Sequence, residues 1–350
     1  MTKAIIRAID VGYGNTKFTV LRQGPSEIHC GIFPSIAPQA SSITDLGGEL
    51  FQRRNTVAVK VNGVHYEVGK DASLAKDASY GRTLDPDYAL TDAYMALVRG
   101  AIYYMGVDSI DVLVVGLPVN SYESKREELE KRLVGEHAIP SPRSKGVDGS
   151  CRNVRVGNVR VLPQPIGAFF DYSMQQGRFQ KMRNEMNLVI DPGYFTLDWV
   201  VAKGVKISIP RSGSHSGGMS SVLSTVGELV SRDIGEQLSD YAGIDDALRF
   251  GNNPRFFGKE FEISKYLPQA KEKARQFVAV LANKVGVAAD IDNILLAGGG
   301  AEFFLDLVKE KFPKHSVQIT PDPVYANVRG FQFAGEHWAS QNLAATAATA

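Results

Sequence analysis

Ile9-Asp10-Val11-Gly12-Tyr13-Gly14-Asn15-Thr16-Lys17 lies between an apolar run that ends at Ile9 and a second run over 18–21. It places an acid, two glycines, small polar side chains and one lysine in a tight turn between two expected strands. Glycines permit positive φ and let backbone N–H groups approach an anion. A carboxylate suits a hydrated divalent cation, and a lysine suits a phosphate oxygen. Taken alone, the stretch reads equally as half of a nucleotide-phosphate site or as an ordinary hairpin with a glycine-rich turn.

The same design returns half a chain later. Asn187-Leu188-Val189-Ile190-Asp191-Pro192-Gly193-Tyr194-Phe195-Thr196-Leu197-Asp198-Trp199 is again strand, acid, glycine two residues on, short turn and strand, with a third strand expected over 205–209. Asp191 follows Asp10 by 181 positions, about half of the 350 residues, which is the mark of a duplicated module. Further on, Ile294-Leu295-Leu296-Ala297 runs into Gly298-Gly299-Gly300 and a helix to Phe312. A nucleotide could lie there against bare backbone near a helix N-terminus, and a flexible connection is the plain alternative.

Composition bounds the remaining classes. The chain has room for one large or two medium domains. Its 44% hydrophobic and 22% charged content is that of a soluble globular protein. A formal net charge of +1 argues against direct, non-specific nucleic-acid binding. Cys30 and Cys151 stand far apart and outside metal-ligand spacing, which fits a reducing cytoplasm. The N-terminus is charged too early for a signal peptide and no run reaches membrane-spanning length, so no membrane role is expected. The low-complexity tail, 341–350, is expected to fray.

Between the two modules the pattern supplies a meander ending at Pro34 and a small inserted subdomain over about 34–81. That insert holds Gly47-Gly48 and a hairpin, 57–61 and 65–68, turned at Asn62-Gly63. A helix follows over 91–105, stopped by Gly106, then a strand over 110–116 covered on both faces. A polar helix over 120–134 carries an Asn120/Glu123 pair like a capping box and Gly135 as terminator. The basic stretch around Arg143, Lys145 and Arg152 reads as loop, and the strand over 154–162 as broken or turned at Gly157-Asn158. Gln164 then falls at a strand-to-helix junction, where a side chain is commonly held at the mouth of a cleft, and Gly177 ends the helix. A Gly/Ser-rich linker is expected over 212–221, helices over 222–241 and 265–285, and a last helix from Asp322 that stops about a dozen residues before the end.

These segments resemble, in order and spacing, the motifs of the actin, sugar-kinase and Hsp70 ATPase superfamily. Asp10, Gly12, Gly14 and Lys17 match its first phosphate motif, 161–169 the first connecting motif, 190–198 the second phosphate motif, 295–301 the adenosine motif and 324–331 the second connecting helix. Gly116-Leu117-Pro118-Val119, Asp191-Pro192-Gly193 with Thr196-Leu197-Asp198, and Ala326-Asn327-Val328-Arg329-Gly330-Phe331 are most similar to plasmid-segregation actins of the ParM/StbA type and related archaeal actin-like proteins. Arg232-Asp233-Ile234-Gly235-Glu236 resembles the helix that lines the adenosine, with Glu236 at the ribose. The chain departs from the family at Tyr194 and Phe195, where Gly or Thr is usual, and at Gln164, where ParM and Hsp70 carry Glu and actin carries Gln.

The resemblance implies an α/β protein of two domains, 1–164 with 325–350 and 165–324, each built on a mixed five-stranded sheet flanked by helices. A helical subdomain is inserted at about 212–285, and ATP or ADP sits in the interdomain cleft. It implies Mg²⁺ held through water by Asp10 and Asp191, with phosphate contacts from Gly12, Tyr13, Gly14, Asn15, Thr16, Lys17, Gly193, Tyr194 and Thr196. Gly298, Gly299, Gly300 and Glu236 would serve the nucleoside. Gln164, an amide that cannot act as a base, would position the attacking water. Head-to-tail filaments and a DNA-binding adaptor of a partition system are the implied partners. A non-polymerising nucleotide switch and a small-molecule kinase are the alternatives on the same fold. Residues 10–17 are expected to make most of the phosphate contacts.

Overall fold

The computed structural model describes residues 4–24, 27–40, 54–77, 80, 84–85, 87–142, 149–238 and 240–346. Gly47, Gly48, Arg143, Lys145 and the last four residues of the expected frayed tail lie outside the described residues. In chain order the elements begin with β1 (Ile6–Val11), β2 (Asn15–Gln23), β3 (Glu27–Pro34), β4 (Thr56–Val61), β5 (Val64–Gly69), α1 (Asp92–Met105) and β6 (Ser109–Leu117). Next come α2 (Val119–Leu133), β7 (Gly135–Pro140), β8 (Cys151–Pro163), α3 (Gln164–Gln175) and α4 (Phe179–Met182). A second run contains β9 (Met186–Pro192), β10 (Leu197–Lys203), β11 (Lys206–Ile207), β12 (Gly213–His215), α5 (Met219–Ile234) and α6 (Ala242–Phe250). It closes with β13 (Arg255–Phe256), β14 (Lys259–Glu260), α7 (Leu267–Val285), β15 (Asn293–Leu296), α8 (Ala301–Lys311) and β16 (Val317–Ile319), and the chain ends in α9 (Ala326–Thr346).

Two compact units result, Met1–Asn184 with Thr320–Ala350, and Glu185–Ile319. The first sheet has the order β3-β2-β1-β6-β8-β7, and the second β11-β10-β9-β15-β16 with β12 also on β10. Strip β7 and β12, and both sheets share one plan. An antiparallel meander runs to the edge, its first strand lies parallel to the next, and the fifth strand lies beyond. The expected five strands are therefore present in each sheet, and the described residues add a sixth to each.

Registers repeat as well as topology. Asp10 lies opposite Lys17 and Val11 opposite Thr16, while Asp191 lies opposite Asp198 and Pro192 opposite Leu197. A shift of 181 positions carries one pairing onto the other. In a two-residue side-chain period, a slip of one residue would have turned every side chain to the wrong face, so matched registers mean matched faces.

In the first unit, alternation along β1 and β6 divides the interior. Ile6, Ala8, Val112 and Val114 join Phe331 and Ala339 of α9, while Ile9, Val11, Leu113 and Val115 join the cluster under α1. Both faces are covered, as the aliphatic run of β6 predicts. The Thr91 hydroxyl caps α1 by accepting from the Tyr94 N–H at 3.2 Å, and Gly106 ends it at φ 65°. Leu97, Val98, Ile102 and Met105 are buried beneath it, each contributing about 1.5–3 kcal/mol. The Asn62-Gly63 turn closes β4 on β5 with φ of 47° and 85°, as expected.

Several expectations are corrected. The helix α2 starts at Val119 after Pro118, with no side-chain cap, so the Asn120/Glu123 box does not form. Gly135 does follow the end of α2, at φ of 115° directly after the cap at Val134, and it also begins β7 opposite Val156, but Arg152 sits in β8 and pairs with Asp108 at 2.6 Å. β8 runs unbroken through Gly157 and Asn158, with Val156 and Asn158 both in the ladder with β6, and a Cβ at 157 would stand 3.2 Å from the Asp111 carbonyl oxygen. Glycine is kept there by a neighbour, not by a turn. The stretch over 212–221 is no linker, since Gly213–His215 pairs with β10 and α5 begins at Met219. The final helix runs to Thr346, well into the tail expected to fray.

Helix α3 belongs with the first unit, where the expected division at 164 had put it in the second domain. It crosses α9 at two glycines. A Cβ on Gly330 would fall 1.7 Å from the Gly167 carbonyl oxygen, and one on Gly167 would fall 2.5 Å from that of Asn327. Beside this crossing, Arg329 donates from Nε and Nη2 to the two oxygens of Asp171 at 2.9 and 2.8 Å. Gln175 Nε2 donates to the same carboxylate at 2.6 Å. Burial pushes the Asp171 carboxyl above its ordinary value, and the guanidinium and amide pull it back.

Candidate functional site

Asp10 is 1% exposed at the end of β1, and both its oxygens are engaged. Lys17 Nζ lies 2.9 Å from Oδ2, and Gln164 Nε2 donates to Oδ1 at 2.8 Å. The β1–β2 pairing sets Lys17 opposite Asp10, and β8 delivers Gln164 at the first residue of α3. Gly116 makes room for that amide, since a Cβ there would meet Gln164 Cγ at 2.9 Å and the Phe331 ring at 2.6 Å. The acid, lysine and glutamine singled out from sequence thus form one hydrogen-bonded group.

The turn between them is closed internally. Gly12 N–H donates to the Asn15 carbonyl at 3.1 Å, and the Gly14 carbonyl accepts from Ser35 N–H at 3.0 Å. Thr16 is fully buried with its hydroxyl 2.9 Å from that of Ser35, so this side chain fastens the turn. Tyr13 stacks on Tyr88, ring centroids 5.1 Å apart, and its hydroxyl donates to the Asp85 carbonyl at 3.0 Å. Tyr88 in turn meets Tyr94 edge-on at 5.7 Å. An aromatic ladder therefore ties the turn to the start of α1.

In the second unit, Gly193 N–H donates to the Thr196 carbonyl at 2.8 Å, the counterpart of the Gly12 bond. The amides of Gly12 and Gly193, expected to meet phosphate, are thus spent closing their own turns. Met219 N–H donates to the Gly193 carbonyl at 3.0 Å, Ser220 N–H to Tyr194 at 2.6 Å and Gly218 N–H to Phe195 at 3.0 Å. The N-terminus of α5 is docked on the carbonyls of the turn, and Tyr194 packs against the second core. Gly218 is required because a Cβ would stand 2.6 Å from the Gly193 carbonyl. Sequence reading missed this seat; its signal was the Gly217-Gly218 pair directly before a helical apolar period.

The triple glycine meets the same turn. Gly298 has φ of 78°, and a Cβ there would fall 2.0 Å from Asp191 Oδ1, a carboxylate only 6% exposed. Gly300 N–H donates to the Pro192 carbonyl at 2.9 Å, and its own Cβ would collide with that oxygen at 2.9 Å. Gly299 is exposed with open space around it. Asp191, Gly193, Gly298 and Gly300 are therefore gathered in one place within the second unit. Glu236 is not on a helix: α5 ends at Ile234, Gly235 takes φ of 79°, and the exposed Glu236 follows in the cap.

The donor set bears on a divalent cation. Among the described residues, no group of three or more His, Cys, Asp and Glu side chains is placed to hold a metal. A direct bond to Asp10 would displace Lys17 or Gln164. Held through water, a Mg²⁺ ion fits, because it keeps much of its hydration shell and needs only one or two carboxylates beside substrate phosphates.

Residues 8–167 match the family of actin-like proteins, N-terminal domain, and residues 189–310 match the archaeal actin homologue MreB-like family, C-terminal. No curated protein sequence matches the chain. Among solved structures, the native archaeal actin homologue Ta0583 is similar over 95% of this chain and 99% of its own, at 20% identity and a TM-score of 0.74. The same protein in complex with ADP aligns over 95% and 99%, at 18% identity and a TM-score of 0.71. A ParM from Clostridium botulinum, solved as a 15-stranded filament, aligns over 96% and 100%, at 19% identity and a TM-score of 0.73. With both halves matched in order and the fold shared end to end, the chain belongs to the actin-like ATPase superfamily.

Proposed function

We propose that the chain binds and hydrolyses ATP and that the bound nucleotide controls its assembly into head-to-tail filaments. The observation that carries this reading is the Asp10–Lys17–Gln164 group, a buried acid held between a cation and an amide beside a glycine turn. Lys17 would neutralise phosphate charge, and Asp10 and Asp191 are the carboxylates that would hold a hydrated Mg²⁺ ion, which when bound would supply further screening of phosphate charge. Gln164, with Nε2 on Asp10, keeps its carbonyl oxygen to orient the attacking water. Positioning and charge stabilisation supply most of the rate in such sites.

The self-contact is heterologous, a geometry that propagates instead of closing. Filaments of this kind suit plasmid DNA segregation in the cytoplasm through a DNA-bound adaptor, with no direct nucleic-acid contact by this chain. None of the described helices is long and apolar enough to cross a membrane. Sedimentation and light scattering with ATP, ADP and a non-hydrolysable ATP analogue test the filament. Polymer is expected with ATP and the analogue, persisting only with the analogue once ATP is consumed. Absence of sedimenting polymer with every nucleotide, across protein concentration, contradicts it.

A further inference from the structure

Three facts about α3 bear on one another. Gln164 is its first residue, Gly167 is one turn on and Asp171 two turns on, so all three share a face. That face lies on α9. Gly167 is in backbone contact with Gly330 and Asn327, and Asp171, fully buried, receives the fork of Arg329. Gln164 is held toward its partner by its own bond to Asp10, by its close packing on Gly116 and by the placement of the helix that carries it.

A glycine crossing is smooth, because two bare backbones can slide past one another without meeting a side chain. A bidentate guanidinium–carboxylate pair is the opposite, since its two parallel bonds fix both distance and register. Removing two charges from water is costly, and an apolar pair of similar volume would often hold the helices as well or better. The pair is thus poorly explained by stability alone. Its geometry accounts for it.

We propose that Arg329 and Asp171 are positioning residues that set the register of α3 on α9 and so hold the Gln164 amide on Asp10. The proposal deepens the ATPase reading, since it names what aligns the water-orienting residue. It also stands apart from that reading, because the Gln164–Asp10 bond can be measured without nucleotide.

Arg329→Lys keeps the charge and loses the fork, and the double variant Arg329→Met/Asp171→Leu replaces the pair by apolar packing. Arg329→Lys is expected to lower kcat for ATP about tenfold while KM changes by less than about threefold, as a displacement of the aligned group would. The double variant is expected to recover stability to urea without recovering kcat. Unchanged kcat in Arg329→Lys, or a double variant that regains both stability and kcat, would overturn the proposal.

A second measurement separates its failure from failure of the nucleotide reading. In a cycle of Gln164→Ala and Asp10→Asn followed by urea denaturation, the two sites are expected to be coupled in the wild-type background and uncoupled with Lys at 329. That result upholds the positioning role even if the protein turns over no ATP. Coupling that persists undiminished in the Arg329→Lys background overturns it.

Discussion

Gly330→Ala is expected to cost the first unit at least about 3 kcal/mol, the top of the range for overpacking. The added methyl carbon would fall 1.7 Å from the Gly167 carbonyl oxygen, and both colliding partners are backbone. No rotamer change can relieve that contact, so α3 and α9 must part. Parting them exposes Phe331, fully buried against Gly116 and Gly167, and disturbs the Arg329–Asp171 fork one residue away. Gly299→Ala is the matched control, because nothing lies within 4 Å of its Cβ, and a shift within about 0.5 kcal/mol is expected there. Urea denaturation of both variants checks the pair. A Gly330→Ala protein as stable as Gly299→Ala would mean that the two helices do not cross at these glycines.

Gln164→Ala is expected to lower kcat for ATP hydrolysis by about 100- to 1,000-fold while ATP affinity changes by less than about tenfold. The amide carries no charge to offer the phosphates, so its loss should be felt in the transition state and little in binding. Its removal also takes one of the two donors from the buried Asp10 carboxylate, leaving Lys17 as the remaining one seen. Steady-state kinetics and equilibrium titration with a fluorescent ATP analogue separate the two effects. Equal loss in kcat and in affinity would assign Gln164 to ground-state binding.

The strands and both acidic turns were legible because their signal is local. Short apolar runs mark β1, β2, β6, β9 and β10, and a glycine two residues after an acid marks each turn. Half-chain repetition then foretold the shared plan of the sheets. β12 could not be read this way, since Gly213–His215 has no apolar pattern of its own and is a strand only because β10 offers an edge. Gly157 carried a true glycine signal with two causes, and tertiary crowding by Asp111 was the one that applied.

The site was legible in residue type but not in hydrogen-bond use. Gln164 lies 154 residues from Asp10 in sequence, so its bonding to the Asp10–Lys17 pair is a product of β1, β2 and β8 lying in one sheet. Spacing alone also cannot tell a glycine amide aimed at a ligand from one that closes its own turn, as Gly12 and Gly193 do. The docking of α5 on the carbonyls of the 193–195 turn depends on two small residues that read as linker.

The proposed ATP hydrolysis requires Mg²⁺ and the Asp191 carboxylate. The direct measurement is the steady-state rate of phosphate release from ATP, with and without Mg²⁺, for the wild-type chain and for Asp191→Ala, whose folding is verified by circular dichroism. Turnover that needs Mg²⁺ in the wild type and falls at least about 100-fold in Asp191→Ala is the expected result. A folded Asp191→Ala protein that hydrolyses ATP at the wild-type rate, or a wild type whose rate ignores Mg²⁺, would contradict it.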